Sequence, residues 1–156
     1  MTTIHVTIDR RDILSSEAQA LIAALNRELA SVYPEEGATH FRLDPSEVAD
    51  GKGAFLIAFR GGVALGCGAV RRIDAVTGEL KRMYVTPEAR RWGVGQALLD
   101  ALQAEARRLG LARLVLETGV RQARALSLYE RNGFTRFVPF GDYVGSPLSV
   151  CMAKDL

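Results

Sequence analysis

The stretch from Met83 to Gln96 concentrates residues able to grip an anion. A strand-like run closes at Val85, Pro87 stops it, and Arg90-Arg91-Trp92-Gly93-Val94-Gly95 opens a long helical pattern. The first turn of a helix leaves its amides unpaired and carries partial positive charge. Glycine removes the Cβ that would hold a phosphate away from such amides, and arginines add fork-shaped donors. Those residue types in that order describe a pyrophosphate cradle. Two other phosphate loops do not apply, because the chain has neither three glycines spaced G-x-G-x-x-G nor a Gly-Lys-Ser/Thr run. A Gly-x-Gly pair also serves close packing at a helix entrance, so its surroundings must decide its meaning.

Nucleophile and metal chemistry find less support. His5 and His40 are the only histidines and stand in no ligand-like cluster, which argues against a His-based triad, a zinc site or any metal role. Cys67 and Cys151 are too few and too far apart for a disulfide framework, so a reducing cytoplasm fits best.

The elements that must position the cradle follow from periodicity. Ile4, Val6 and Ile8 alternate with polar neighbours and predict a strand. Ser15 or Ser16 caps a helix whose stripe is Ala18, Leu21, Ile22, Leu25, Leu29 and Val32, ended by Pro34. Residues Tyr33 to Gly53 read as a loop with one helical turn after Pro45, the kind of segment that borders a binding site. Ala54 to Phe59, Val63 to Ile73 and Glu79 to Val85 form an antiparallel meander turning at Gly61-Gly62 and Thr77-Gly78. The long helix carries Ala97, Leu98, Ala101, Leu102, Ala106 and Leu109 on one stripe and ends at Gly110. Ala112 to Glu117 is then a buried strand, and strand-helix-strand implies a right-handed crossover with a parallel pair. A helix from Gln122 to Arg131 and strands Phe134 to Phe140 and Leu148 to Ala153 complete the order. The expectation is one α/β domain over residues 1–156, a mixed sheet of about six to seven strands flanked by helices.

Bulk composition narrows the partners. The 156 residues are 48% hydrophobic and carry 20 Lys and Arg against 18 Asp and Glu, a net +2. That balance is poor for nucleic-acid binding, although Arg71-Arg72, Lys81-Arg82, Arg90-Arg91, Arg107-Arg108 and the Arg121 to Arg131 stretch are locally basic. No window approaches the ~18 apolar residues of a membrane span, so a soluble, cytoplasmic protein with no membrane partner is expected.

The motifs taken together carry a resemblance. Arg90-x-x-Gly93-x-Gly95 follows a strand ending Met83-Tyr84-Val85, and about 35 residues later comes Leu128-Tyr129-Glu130-Arg131-Asn132-Gly133-Phe134. This pairing resembles the GNAT superfamily of N-acetyltransferases, whose signature is Gln/Arg-x-x-Gly-x-Gly/Ala followed by Leu-Tyr-x-x-x-Gly-Phe. The resemblance implies the GNAT fold and acetyl-CoA as co-substrate. Backbone from Arg91 to Gln96, with Arg90 and Trp92 in the same segment, would hold the pyrophosphate. A bulge in the Glu79 to Val85 strand would free an edge along Met83, Tyr84 and Val85 for pantetheine, and the Val85 amide would face the thioester oxygen. Gln122 stands where the family has asparagine, and its longer amide would contact pantetheine or cap the helix.

The resemblance also implies roles in the chemistry. Transfer to an amine requires removal of a proton from an ammonium of pKa ~10 and favours protonation of the departing thiolate. Tyr129 matches the family's tyrosine beside the CoA sulfur and is the candidate acid. Glu79 is the candidate base and Glu117 the reserve. Arg71, Arg72 and Arg82 lie near the expected acceptor cleft and could clamp a carboxylate, which points to a small amino-acid-like amine. A protein N-terminus or lysine is the alternative acceptor, and a CoA-binding sensor without turnover is the non-enzymatic one. Exposed strand edges also permit a homodimer.

Overall fold

The computed structural model describes residues 5–35 and 43–156. Strand β1 covers Thr7–Arg10, β2 Gly53–Arg60, β3 Val63–Arg72, β4 Thr77–Val85, β5 Arg113–Gly119, β6 Thr135–Arg136 and β7 Ser149–Asp155; helices α1, α2 and α3 are Ser16–Val32, Val94–Arg108 and Ala123–Arg131. All seven strands join one sheet in the order β1-β2-β3-β4-β5-β7-β6. Among the described residues only β4 and β5 run parallel, as expected for strands joined through a helix.

The two faces of the sheet are read from strand alternation. Phe55 and Ile57 point to one face, where the α1 stripe of Ala18, Leu21 and Leu25 covers them. Ala54, Leu56 and Ala58 point to the other, against Leu98, Leu99, Leu102 and Ala106 of α2. Tyr129 and Phe134 join this second layer, so α2 and α3 share a face opposite α1.

Several boundaries move relative to the sequence reading. The Ile4 position lies outside the described residues, as does His40, and β1 begins at Thr7. The turn before β4 forms earlier than Thr77-Gly78: Asp74 Oδ1 accepts from the amides of Val76 and Thr77 at 2.9 and 2.8 Å. An aspartate closing its own turn outcompetes the glycine signal, and Gly78 instead sits within β4, where Leu111 fills the space a Cβ would need. The expected Phe134 to Phe140 strand shrinks to Thr135–Arg136, since Pro139 has no amide to offer a ladder.

Two irregularities of β4 shape everything that follows. Cys67 pairs with Tyr84 while Ala69 pairs with Lys81, so β4 carries one extra residue at Arg82 and Met83. Arg82 adopts φ 58°, a left-handed conformation costly for a side chain of this type, and Cys67 Sγ donates to its carbonyl at 3.3 Å. The extra residue reverses parity: Leu80, Met83 and Val85 all pack on the α2 layer. The second irregularity is that β4 and β5 pair only from Thr77–Arg113 to Leu80–Leu116. Beyond that point the strands part, while β5 stays zipped to β7 through Gly119.

Candidate active site

The parting of β4 and β5 opens a cleft of about 1060 Å³. One end is the mouth of α2. Gly93 takes φ 80° to turn the chain into that helix, and no side chain caps it and no acidic residue lies in its first turn. The contrast is α1, whose first turn holds Glu17 and whose Ser15 Oγ accepts from Ala18 N at 3.3 Å. The amides of Val94, Gly95 and Gln96 therefore face the cleft without a protein acceptor, which suits a phosphate. Arg91, Arg124 and Arg131 line the cleft. The last two are seven residues apart on α3 and so share its cleft face, a signal that helical periodicity already contained.

Arg90 does something other than the expected phosphate contact. Its Nη2 donates to Glu28 at 2.6 Å and its Nε to the Val85 carbonyl at 3.1 Å. It ties the end of β4 to α1 through its Nε–Nη2 edge while lining the cleft beside Arg91. Trp92 also departs from expectation: its amide donates to Ala89 O at 3.2 Å and its ring lies under the Arg60 guanidinium at 5.3 Å, outside the cleft. Gln96 and Asn132 exchange amide hydrogen bonds at 2.8 and 2.9 Å, locking the α2 mouth to the end of α3.

Tyr129 sits on α3 between the two ends, buried, with its ring edge-on to Phe134 at 5.6 Å. Burial, and then the charge of Glu117, raise its phenol above the usual tyrosine range, so it stays protonated at neutral pH. Gln122 turns its Oε1 to the Gly119 amide at 2.8 Å, closing the β5–α3 turn. That turn is held from the other side by Tyr33, whose Oη accepts from the Arg121 amide at 2.9 Å. A Cβ on Gly119 would lie 1.8 Å from Tyr33 Oη. Gly119→Ala should accordingly destabilise the fold by about 2 kcal/mol, in the range of overpacked sites, as read from the urea midpoint.

The far end holds the carboxylates. Glu79 is 1% exposed and sealed beneath the cleft rather than lining it. Its Oε1 accepts from Arg71 Nε at 2.9 Å and its Oε2 from Tyr143 Oη at 2.6 Å. Arg71 also pairs with Glu47 at 2.6 Å and does not face the cleft. Arg72 points to the opposite layer, where it donates to the carbonyls of Ala75 and Leu109 and staples the end of α2. Adjacent strand residues face opposite ways, so the two arginines could not have acted as one clamp. Arg82, carried by the bulge, does line the cleft and reaches Asn26 Oδ1 at 3.4 Å.

Of the two strand carboxylates, Glu117 is the one that lines the cleft; Glu28 of α1 lines it too but is paired with Arg90. Glu117 is the first β5 residue past the last pair with β4. Burial and then the nearby Glu79 charge push its pKa up to about 7, with Lys81 pulling the other way. A group poised near neutrality can take and release protons at physiological pH.

The chain matches the acetyltransferase (GNAT) family over residues 18–134. It is 42% identical over 153 residues to an IAA acetyltransferase of Azospirillum brasilense, covering 97% of this chain and 99% of that protein. It is 32% identical over 155 residues to the uncharacterized N-acetyltransferase YsnE of Bacillus subtilis, covering 98% and 100%. A solved structure from Klebsiella pneumoniae, assigned as an acyl-CoA N-acyltransferase, superposes with a TM-score of 0.82 at 36% identity over 98% of this chain and 99% of that one. No helix among the described residues is long and apolar enough to cross a membrane. Since the family match runs through both the uncapped α2 mouth and the helix bearing Tyr129, the chain belongs to the acetyltransferase (GNAT) family and is an N-acetyltransferase.

Proposed function

We propose that the protein acetylates the primary amine of a small, carboxylate-bearing acceptor, with acetyl-CoA as co-substrate and direct attack in a ternary complex. One observation carries this reading: a single cleft joins an uncapped helix mouth to a half-buried carboxylate across a freed strand edge. The mouth suits a pyrophosphate, the β4 edge suits an extended pantetheine, and Glu117 suits an ammonium. The Azospirillum relative, named for IAA, favours a small-molecule acceptor.

Acetyl-CoA supplies an activated acyl carbon when bound. The chain's own part is to place and move protons around it. Backbone amides of residues 94–96, with Arg91 and Arg124, hold the diphosphate, and the β4 edge from Met83 to Val85 aligns the pantetheine arm, its Val85 amide serving the acyl oxygen. Glu117, rather than the sealed Glu79, takes the proton from the acceptor's ammonium, because only Glu117 faces the space an acceptor would fill. Glu79 keeps Tyr143 in place and, through its charge, keeps Glu117 a stronger base than a solvated carboxylate. Tyr129 gives its proton to the departing sulfur.

An acceptor screen with acetyl-CoA, reading free thiol, tests this. Thiol release should be greatest with amino acids and similar zwitterions; release confined to polyamines or peptides would overturn the acceptor class. The absence of release with any amine, with CoA binding intact, would leave a CoA sensor instead. Tyr129→Phe should lower kcat by ~10-fold, a modest factor because a thiolate of pKa ~8.5 leaves readily unaided. Stopped-turnover thiol detection checks it, and unchanged kcat would remove Tyr129 from the proton path.

A further inference from the structure

We propose that Lys81 anchors the acceptor's carboxylate, fixing an amino-acid head group so that its amine meets Glu117. The inference rests on the N-acetylation reading above and deepens it. Lys81 stands on β4 immediately before the bulge and past the last pair with β5, so it lines the cleft on the face shared with Glu79 and Glu117. Its position is at the Glu117 end, away from the helix mouth that β4 leads toward.

Most of the charged groups around it are committed, while Arg82, the neighbouring cation in the cleft, leans on the neutral Asn26. Arg71 holds Glu47 and Glu79, Arg90 holds Glu28, and Arg121 holds Glu35. Both oxygens of Glu79 are taken, by Arg71 and Tyr143. Lys81 has no ion pair within 4.0 Å among the described residues, and its hydrogen bond is a long one, Nζ to Tyr143 Oη at 3.5 Å. That phenol already gives its proton to Glu79, so toward Lys81 it is an acceptor only. A half-buried ammonium with three donors and one distant neutral hydrogen-bond partner has donors to spare, and the carboxylates of Glu79 and Glu117 act on it only through space. Burial accordingly holds its pKa below the ordinary lysine range, even though the Glu79 charge opposes this. A ligand carboxylate at Nζ supplies the direct ion pair that Lys81 does not make within the protein and leaves the adjacent amine beside Glu117. A polyamine would instead place a second cation there.

The test uses the amino acid that releases most thiol in the acceptor screen, together with its carboxamide. Both are assayed at one pH with wild type, Lys81→Met and Lys81→Arg. Because the amine of the carboxamide is the less basic, the quantity read is the change in the carboxylate-to-carboxamide ratio of kcat/KM. Lys81→Met should lower that ratio by ~30-fold from its wild-type value, the size expected of a charge-assisted contact, and Lys81→Arg should restore most of it. Taking a ratio cancels any effect of the lost lysine charge on Glu117 itself. A second readout needs no variant: in wild type with CoA bound, the N-acetylated amino acid, which has no free amine to consume the reagent, should slow acylation of Lys81 by an amine-selective reagent, seen by peptide mass spectrometry, and the N-acetylated carboxamide should not. A ratio that survives Lys81→Met, or equal protection by both ligands, overturns the role of Lys81 while amino-acid turnover keeps the acetylation reading. If no amino acid is turned over although CoA binds, the acceptor reading falls and this inference with it.

Discussion

Glu117→Gln is expected to lower kcat/KM by ~10²–10⁴-fold, the usual worth of a positioned base. The neutral amide keeps the side chain's size but cannot take a proton from an ammonium. Because burial and the Glu79 charge push the wild-type carboxyl up to about 7, the active ionised form accumulates as pH rises through that value. Wild-type kcat/KM should therefore climb through pH 7, and the Gln variant should lose that limb and recover partly in strong alkali, where free amine is abundant. Stability moves the opposite way. The folded pKa lies above the ordinary 4.5, so between 4.5 and about 7 the folded state holds more protons than the unfolded one. Stability is then lost as pH rises through this window, and the burden remains at higher pH. Replacing the carboxylate should stabilise the fold at pH 8 by up to ~3 kcal/mol. Urea midpoints at pH 4 and pH 8, with kcat/KM against pH, check both halves. A variant that keeps the limb near pH 7 would remove Glu117 as the base.

Gly95→Asp is expected to raise the KM for acetyl-CoA by ~100-fold, since a fixed carboxylate would face the diphosphate at close range. The fold should not suffer. A Cβ at Gly95 would meet Leu128 Cδ2 at 3.4 Å and Val85 Cγ2 at 3.8 Å, ordinary contacts. An acid in the first turn of α2, which has none, should add about 0.3–1 kcal/mol to stability. Opposite signs for binding and stability are the signature of amides kept bare for a ligand. Isothermal titration with CoA and a thermal melt measure the two. Gly95→Ala should be mild in both, and undiminished CoA affinity in Gly95→Asp would empty the helix mouth of its assigned role.

What was legible in the residue order was local. The glycines and arginines before Val94, the α2 stripe and the Leu128-Tyr129 element lie within single elements or at their junctions, where spacing maps directly onto geometry. The bulge was also implied, through the family resemblance, and the register shift at Cys67–Ala69 places it at Arg82. Arg90, Arg71 and Arg72 read as free donors because their partners lie far along the chain: Glu28 is 62 residues from Arg90, and Leu109 is 37 from Arg72. Lys81 reads from the sequence as one of a basic pair and as a same-face neighbour of Glu79, with nothing to show that it lines a cleft.

The sequence by itself determined the sheet-and-helix order, the uncapped mouth of α2 and the placement of Tyr129, because helix capping, apolar period and glycine spacing act over a few residues. Only the tertiary structure decided which of the two strand carboxylates lines the cleft. Glu79 and Glu117 are both strand acids in the sequence. A loop 64 residues downstream delivers Tyr143 onto the first, and the last β4–β5 pair ends one residue before the second. Burial and charge pairing are set by such distant contacts, and they separate a sealed acid from one open to the cleft.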